Sequence, residues 1–383
     1  MFVLALALAA SPAVPEVNLL SIEAGAVLLD SSPSYGGTWS AEALADGAAG
    51  TGWSSPSGAR GPFHFTFELE QRSVLTAIEV DNTNAEEPSY PGISASALEV
   101  WVMGAQTDQP TRVATLKLGK RGKARLALPK DTTGRIIKLV VPGNLGHASY
   151  TELMEVAVLG HPLEPTPSPT RSLDGLWSLD DGVVVLTADQ GAVSGCVRRA
   201  NDALRFTGTV QGRVAQGSLE GLDRLKGSAT FVVSSDGNTL RARYEMVGFG
   251  TWKASRRDAL KPDCATLIAE AALGRRLDAA TGPVALLGVG FGPDDTLRTT
   301  AGDELTALAS LLAERPTARV ELAVLGRTDG GADELKRTER RAQAVIQALM
   351  KLGLAPERVE LGFGVMKWPG VRPEPRVEAR WKN

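Results

Sequence analysis

FHFTFELE, residues 63–70, places Phe63, Phe65 and Phe67 at every second position. Because successive side chains of a strand point to opposite faces, this alternation predicts a strand with one buried and one solvated face. Similar short runs surround it, among them LTAIEVDN, ALEVWVMG and GRIIKLVVPG, with Gly, Pro and Asn between them. Many short strands and little helix predict an all-β jelly roll over residues 18–160.

Further along the chain, residues 161–172 are rich in proline and predict an extended linker, long enough to separate two domains by about 30 Å. Residues 173–258 again read as short β runs, with Asp236-Gly237 as a hairpin turn between two of them. Short, sequential, glycine-rich strands predict an antiparallel meander that closes into a small barrel.

Residues 263–383 show a different period. AGDELTALASLLAE, residues 301–314, puts leucines on one helical stripe, and Pro316 ends that helix. A second amphipathic helix is predicted over residues 334–352, and strands are predicted before, between and after the two helices. The order β-α-β-α-β-β predicts an α/β sandwich.

The composition narrows the class of protein. The formal net charge is −3 over 383 residues, and this balance gives no reason to expect a nucleic-acid partner. Residues 1–13 combine a short apolar run with small residues and proline, which predicts a signal peptide, and we expect no transmembrane segment in the mature chain. No nucleophile elbow, zinc motif or phosphate-binding loop is found, so we expect no catalytic residues and no enzyme.

The chain has two cysteines, Cys196 and Cys264. In an oxidising compartment the pair can form a disulfide that ties the middle region to the start of the C-terminal one. The alternative is two unrelated, partly buried thiols. No spacing of Cys and His typical of a metal site is present.

Residues 284–381 resemble the OmpA-like family of peptidoglycan-associated domains. The family has a strand ending in Gly-His-Thr-Asp and a helix with Ser-x-x-Arg-Ala-x-x-Val. This chain has GRTD at residues 326–329 and TERRAQAV at residues 338–345. The family often closes on Asn-Arg-Arg-Val-Glu, and here PRVE stands at residues 375–378.

The resemblance implies binding to the diaminopimelate side chain of peptidoglycan. Matching by position, Asp329, next to Thr328, would take the ammonium group, and Arg341 would take the carboxylate through its planar fork. The loop before the helix is short, and Glu334 stands where the family usually has Asn. Glu334 would either repel the ligand carboxylate or point to solvent. The alternative is a degenerate domain in which Arg341 is a surface ion-pair partner.

The first segment resembles discoidin-type, galactose-binding-like jelly rolls. The residues that carry this resemblance are DGAAGTGWS, residues 46–54, which follow the family's Asp-Gly…Thr-x-Trp-x-Ser, together with a last strand at residues 155–160. Members bind sugars or lipids, and some hold a structural Ca²⁺. The resemblance implies Asp46, Thr51 and Glu155 as calcium ligands, and an all-oxygen set suits Ca²⁺. Alternatively, Asp46 caps a turn and Glu155 is a solvated strand residue.

Four aromatic residues fall in predicted loops of this segment: Tyr35, Trp39, Tyr90 and Tyr150. They would supply the aromatic platform that a sugar site needs, or they are partly buried packing residues. Together these readings predict a non-enzymatic cell-envelope protein of the periplasm, associated with the outer membrane. It would bind peptidoglycan and display a carbohydrate-binding or adhesive jelly roll toward glycans or an outer-membrane protein. The alternative is a secreted carbohydrate-binding protein with a degenerate, structural OmpA-like domain.

Overall fold

The computed structural model describes residues 16–48, 50–85, 88–163, 172–298, 301–327, 331–366 and 375–382. The predicted signal peptide and most of the predicted linker lie outside these ranges. Within them no helix is long and apolar enough to cross a membrane. Strands dominate the first two regions of the chain, and helices flank a sheet in the third.

The N-terminal β region runs from residue 17 to residue 162 and contains an eight-stranded and a two-stranded sheet. Its strands are β1 (Val17–Asn18), β2 (Val27–Ser31), β3 (Trp53–Ser54), β4 (Phe63–Asp81), β5 (Ala97–Met103), β6 (Thr111–Lys117), β7 (Lys123–Ala127), β8 (Thr133–Val141), β9 (Glu152–Leu153) and β10 (Glu155–Pro162). The order of the large sheet is β1-β10-β4-β8-β5-β6, and β2 and β7 also pair with β4.

The long strand β4 organises this region. Its first half pairs with β2 and β8, its second half pairs with β10 and β7, and its register with β8 shifts between Glu68 and Ser73. Phe63, Phe65 and Phe67 all lie in the core, and Trp53 packs against the first two with ring centroids 4.9 and 5.0 Å away. The alternation that predicted this strand therefore reflects one buried face.

The middle region is a closed barrel in which each strand pairs with its neighbours in the chain. Its strands are β11 (Gly175–Leu179), β12 (Gly182–Asp189), β13 (Ala192–Arg199), β14 (Asp202–Gln211), β15 (Val214–Gly221), β16 (Lys226–Val233), β17 (Thr239–Glu245) and β18 (Phe249–Arg257). Gly237 has a φ of 72° in the turn between β16 and β17, which explains the glycine there. Trp177, Phe206 and Phe231 fill the interior.

The α/β region has a four-stranded sheet of order β19-β22-β20-β21, in which only β20 and β21 are parallel. Its elements are α1 (Cys264–Ala279), β19 (Val284–Leu286), α2 (Ala301–Glu314), β20 (Arg319–Arg327), α3 (Gly331–Lys351), β21 (Val359–Met366) and β22 (Arg376–Lys382). After α1 the order is β-α-β-α-β-β. Membership of the OmpA-like family stays a prediction.

The barrel packs directly on the N-terminal β region, so the linker does not hold the two regions apart by the full distance of about 30 Å that its length permits. Arg213 of the barrel is completely buried, and its Nη1 and Nε donate to Glu68 at 2.8 Å and Glu70 at 3.0 Å. It also donates to the carbonyl oxygens of Gly25 and Leu69. An extended linker only permits separation, whereas a buried, fully bonded arginine holds the two regions together.

The barrel is also joined to the α/β region. Cys196 on β13 and Cys264 at the start of α1 form a disulfide. Arg198 donates to both carboxylate oxygens of Glu314, at 2.5 and 2.6 Å. These contacts connect the barrel wall to α1 and α2.

Candidate functional site

A cavity of about 250 Å³ opens among loops of the N-terminal β region. Its walls combine exposed tyrosines with buried polar residues, and the lining residues are Tyr35, Trp39, Ser54, Tyr90, Ile93, Tyr150 and Glu152. We call it the aromatic pocket. All four loop aromatics that the sequence singled out contribute to it.

Tyr150 stands at the centre of these rings. Its centroid lies 5.9 Å from that of Tyr35 and 6.0 Å from that of Tyr90, and both pairs meet edge to face. On another side His147 stacks on Tyr150 at 5.7 Å, with the ring planes 22° apart. Tyr35 is 62% exposed and Tyr90 is 40% exposed, which is unusual for rings that only support packing.

The backbone around Tyr150 holds its ring in place. The side-chain amide of Asn144 donates to the carbonyl oxygens of His147 and Tyr150 at 2.8 and 2.6 Å. The backbone N–H of Tyr150 donates to Nδ1 of His147 at 3.0 Å. On the opposite side, the Tyr35 N–H donates to the Ser54 carbonyl at 2.8 Å. The backbone that carries Tyr35 and Tyr150 is therefore held by hydrogen bonds within this region.

Glu152 and Ser54 form the polar part of the pocket. They face each other in the β3–β9 pair and are 7% and 6% exposed. The Glu152 N–H donates to the Ile93 carbonyl at 2.8 Å. Sequence reasoning missed Glu152, Ser54, Ile93 and His147, because nothing in the local pattern shows that these loops meet.

This arrangement can hold a ring that is apolar on one face and polar at its edge. The faces and edges of tyrosine rings offer flat apolar contact area, and carboxylate and hydroxyl oxygens accept or exchange hydrogen bonds beside them. Aromatic side chains beside a few convergent polar groups in a concave pocket are a common feature of small-molecule sites.

The three residues implied as calcium ligands lie near one another at the end of the 3₁₀ turn Ala41–Ala45. Thr51 donates its hydroxyl to Asp46 at 2.8 Å, and Asp46 accepts from the N–H of Ala48 at 2.8 Å. Glu155 accepts from the N–H of Gly47 at 3.2 Å. Asp46 therefore does cap a turn, as the alternative held, and Glu155 lies beside it rather than in solvent.

Glu155 is a carboxylate with too few hydrogen-bond donors around it. Its Oε2 atom is buried and has no hydrogen-bond partner. Burial, together with the nearby charge of Asp46, raises the pKa of Glu155 from 4.5 to about 8. A cation at this position would satisfy that oxygen and reverse the shift, so the residues present fit Ca²⁺.

The carboxylates alone do not make a complete metal site. Among the residues that the structure describes, no group of three or more His, Cys, Asp and Glu side chains is arranged around one point. Calcium would therefore be held by Asp46, Thr51 and Glu155 together with backbone carbonyl oxygens, as expected for an oxygen-only shell.

The residues predicted to bind peptidoglycan are only partly described. Thr328 and Asp329 lie outside the described residues. Glu334 and Arg341 are both on α3 and meet directly, with Nη1 of Arg341 donating to Oε1 of Glu334 at 2.7 Å. Glu334 does not point to solvent and Arg341 does not lie at the surface, since the two side chains are 8% and 4% exposed. Repulsion of a ligand carboxylate by Glu334 stays a prediction.

Asp295 is the second acidic partner of Arg341, and no sequence motif pointed to it. Its Oδ1 lies 2.9 Å from Nε of Arg341, and it also accepts from Arg337 at 3.0 Å and from Arg340 at 2.8 Å. Burial alone would raise the pKa of Asp295, but the hydrogen bonds from Arg340 and Arg337 outweigh it and hold that pKa below the ordinary value. We call Asp295, Glu334, Arg337, Arg340 and Arg341 the arginine cluster.

The arginine cluster is positioned by the close approach of α3 to the end of β20. A Cβ atom on Gly326, near the end of β20, would lie 2.1 Å from Oγ1 of Thr338 and 2.9 Å from Oε1 of Glu334. Thr338 is fully buried and donates to the Glu334 carbonyl at 2.8 Å. Only glycine allows α3 to lie this near the strand end.

No model of a known protein family matches the chain, and the search of curated proteins finds no match either. Solved structures with similarity include a fragment of a possible chitobiase from Bacteroides thetaiotaomicron, at 17% identity over 41% of this chain and 99% of that one, with a TM-score of 0.34. A family 32 carbohydrate-binding module from Clostridium perfringens, solved with galactose, has 15% identity over 38% and 99%, with a TM-score of 0.31.

An F5/8 type C domain from Bacteroides fragilis has 16% identity and covers 36% of this chain and 99% of its own, with a TM-score of 0.29. The second of these structures is a carbohydrate-binding module and the third is a discoidin-type domain, the class that the N-terminal sequence resembles. At such TM-scores and identities we draw nothing about function from the likeness.

Proposed function

We propose that this chain is a non-catalytic carbohydrate-binding protein and that the aromatic pocket is its glycan site. One observation carries the proposal: three tyrosines, two of them exposed, meet around a cavity that is also lined by a buried carboxylate. A sugar ring has apolar C–H faces and hydroxyl groups at its edge. Such a ring would stack on the tyrosines while its hydroxyls donate to Glu152.

The size of the cavity limits the ligand. About 250 Å³ is slightly less than the roughly 300–1,000 Å³ of pockets that enclose drug-sized molecules. The pocket therefore suits a terminal sugar unit of a glycan rather than an internal stretch of a long chain.

A glycan array with the full chain tests the proposal, followed by calorimetric titration with the best-bound oligosaccharide. We expect Tyr150→Ala to weaken binding by about tenfold or more, because the central ring contacts both other tyrosines. Phe363→Ala is the matched control, since Phe363 is a 47% exposed aromatic on β21, outside the pocket. An array without specific binding, or equal affinity of the two variants, would contradict the proposal.

We also propose that the protein acts in the cell envelope. The disulfide between Cys196 and Cys264 supports an oxidising compartment, where such bonds persist. Cell fractionation with an antibody to the chain tests this, and recovery in the cytoplasm would oppose it.

A further inference from the structure

The lining of the aromatic pocket combines aromatic rings with one sign of charge. Most of its described lining residues are aromatic or uncharged, namely Tyr35, Trp39, Tyr90, Tyr150, Ser54 and Ile93. The remaining one is the acid Glu152. Among the residues that the structure describes, no lysine or arginine lines this pocket. The charge that the described lining contributes is therefore negative.

The rings of the pocket are set at steep angles to one another. Tyr35 and Tyr90 each meet Tyr150 edge to face, with ring planes 79° and 77° apart. Rings that meet in this way enclose a space, whereas parallel rings form a stack. The face of a tyrosine or tryptophan ring carries partial negative charge and attracts a cation that lies within about 6 Å of the ring centroid. Enclosure by several such rings is how proteins hold ammonium groups.

The histidine beside these rings adds no positive charge. Nδ1 of His147 accepts the backbone N–H groups of Ser149 and Tyr150 at 3.3 and 3.0 Å. A ring nitrogen that accepts a hydrogen bond carries no proton, so this imidazole is in its neutral form with the proton on Nε2. His147 stacks on Tyr150 without opposing a cation in the pocket.

Glu152 makes the pocket selective for the charge of a ligand. It lies on β9, opposite Ser54 of β3, and is 7% exposed. Because little solvent screens a buried carboxylate, its attraction to an ammonium group is several times stronger than in water. A ligand that carries a carboxylate or a sulfate is repelled for the same reason. Rings that attract cations and a buried acid therefore favour the same kind of ligand.

We infer that the sugar unit bound in the aromatic pocket carries a free ammonium group, as in a glycan that contains amino sugars without N-acetyl groups. The assignment rests on the proposed glycan function and adds the charge of the ligand to it. The ammonium group lies against the ring faces and donates to the carboxylate of Glu152, and the apolar face of the sugar packs on the tyrosines.

Calorimetric titration of the full chain with matched sugars tests the inference. The methyl glycosides of glucosamine and N-acetylglucosamine form one pair, and those of galactosamine and N-acetylgalactosamine form the other. Within a pair only the group on the nitrogen differs. At about pH 6 the free amines are protonated, and salt at about 0.15 M screens distant charges. We expect the free amine of at least one pair to bind about tenfold more tightly than its N-acetyl partner.

Glu152→Gln keeps the size of the side chain but removes its charge, and should bring the two Kd values of that pair to within about twofold. Glu79→Gln is the control, because it removes the same charge from β4, outside the described lining, and should preserve the preference. Tyr35→Leu changes a 62% exposed position, where leucine keeps apolar contact area but has no ring face; it should reduce the preference to about threefold. Near-ultraviolet circular dichroism checks that each variant retains its fold.

The inference is overturned if neither amine binds more tightly than its N-acetyl partner, or if the preference is unchanged in both Glu152→Gln and Tyr35→Leu. Glycan binding on the array would then still stand, whereas an array without specific binding contradicts the proposed function itself, so the two failures are distinguishable. Choline, an ammonium compound without a sugar ring, is the last probe. Tighter binding of choline than of either amino sugar would overturn the assignment of a sugar ligand.

Discussion

The aromatic pocket and the arginine cluster are both sites that the sequence pointed to, yet they differ in what remains available to a ligand. In the pocket, Tyr35 and Tyr90 are exposed and contact mainly other pocket rings. In the cluster, Arg341 is buried and already faces Glu334 and Asp295. A site must have interactions left to make, and only the first clearly does.

The acids of the two regions differ in the same way. Asp295 lies among three guanidinium groups, and its pKa falls below the ordinary value although burial opposes this. Glu155 has a buried oxygen without a partner beside Asp46, and burial raises its pKa to about 8. The first carboxylate is satisfied within the chain, whereas the second would gain from a cation that the chain does not supply.

The largest effect is expected from Arg341→Ala. Removing this buried guanidinium leaves Glu334 and Asp295 with fewer cationic partners, so we expect the free energy of unfolding to fall by about 3–5 kcal/mol. Arg340→Ala is the control, because Arg340 binds the same Asp295 but its side chain is 57% exposed, and should cost about 1 kcal/mol or less. Urea unfolding measures both. Equal costs would show that Arg341 is not a structural centre and is free for a ligand.

The second-largest expected effect is a loss of stability with rising pH, caused by Glu155. Its pKa is raised in the folded chain, so its contribution to stability is full below the ordinary value of 4.5 and is lost as the pH rises to about 8. We expect the calcium-free chain to lose stability on the order of 3 kcal/mol over this interval, and added Ca²⁺ to restore it.

Calorimetric melting at about pH 5 and about pH 8.5, with EDTA or with Ca²⁺, measures this effect. Glu155→Gln should make the melting temperature insensitive to calcium and less dependent on pH. Glu79→Gln, on the paired strand β4, is the control and should behave like the native chain. If EDTA leaves the melting temperature of the native chain unchanged at both pH values, the calcium site is ruled out.

A smaller effect is expected from Tyr35→Ala. Because Tyr35 is the most exposed ring of the pocket, its removal should weaken glycan binding by about tenfold while stability changes by less than about 0.5 kcal/mol. Titration and urea unfolding of the same variant measure the two quantities. A large loss of stability without loss of affinity would make the pocket a packing feature like the arginine cluster.

The smallest effect concerns peptidoglycan, which stays a prediction for the α/β region. If Arg341 receives the diaminopimelate carboxylate, Glu334 competes with that ligand, and Glu334→Gln should strengthen binding by about fivefold, or about 1 kcal/mol. Co-sedimentation of the full chain with diaminopimelate-type peptidoglycan measures this. Glu339→Gln on the same helix is the control. No binding by either variant or the native chain would support a structural role for the arginine cluster.

Local patterns were sufficient for much of this molecule. The alternation at Phe63, Phe65 and Phe67 predicted a strand with one buried face, and Asp236-Gly237 marked a barrel hairpin. The loop positions of Tyr35 and Tyr150 suggested a binding surface. Such features follow from side-chain periodicity and turn conformation, which depend on neighbours in the chain.

Contacts between distant segments were decided only by the tertiary structure. Glu152 reaches the aromatic pocket because β9 pairs with β3, about a hundred residues earlier in the chain. Asp295 meets Arg341 although α2 and β20 lie between them in the chain, and Arg213 is buried against Glu68 of another region. The sequence determines which residues are aromatic, charged or turn-forming, but a buried ion pair or a pocket depends on which segments meet, and that results from packing the whole chain.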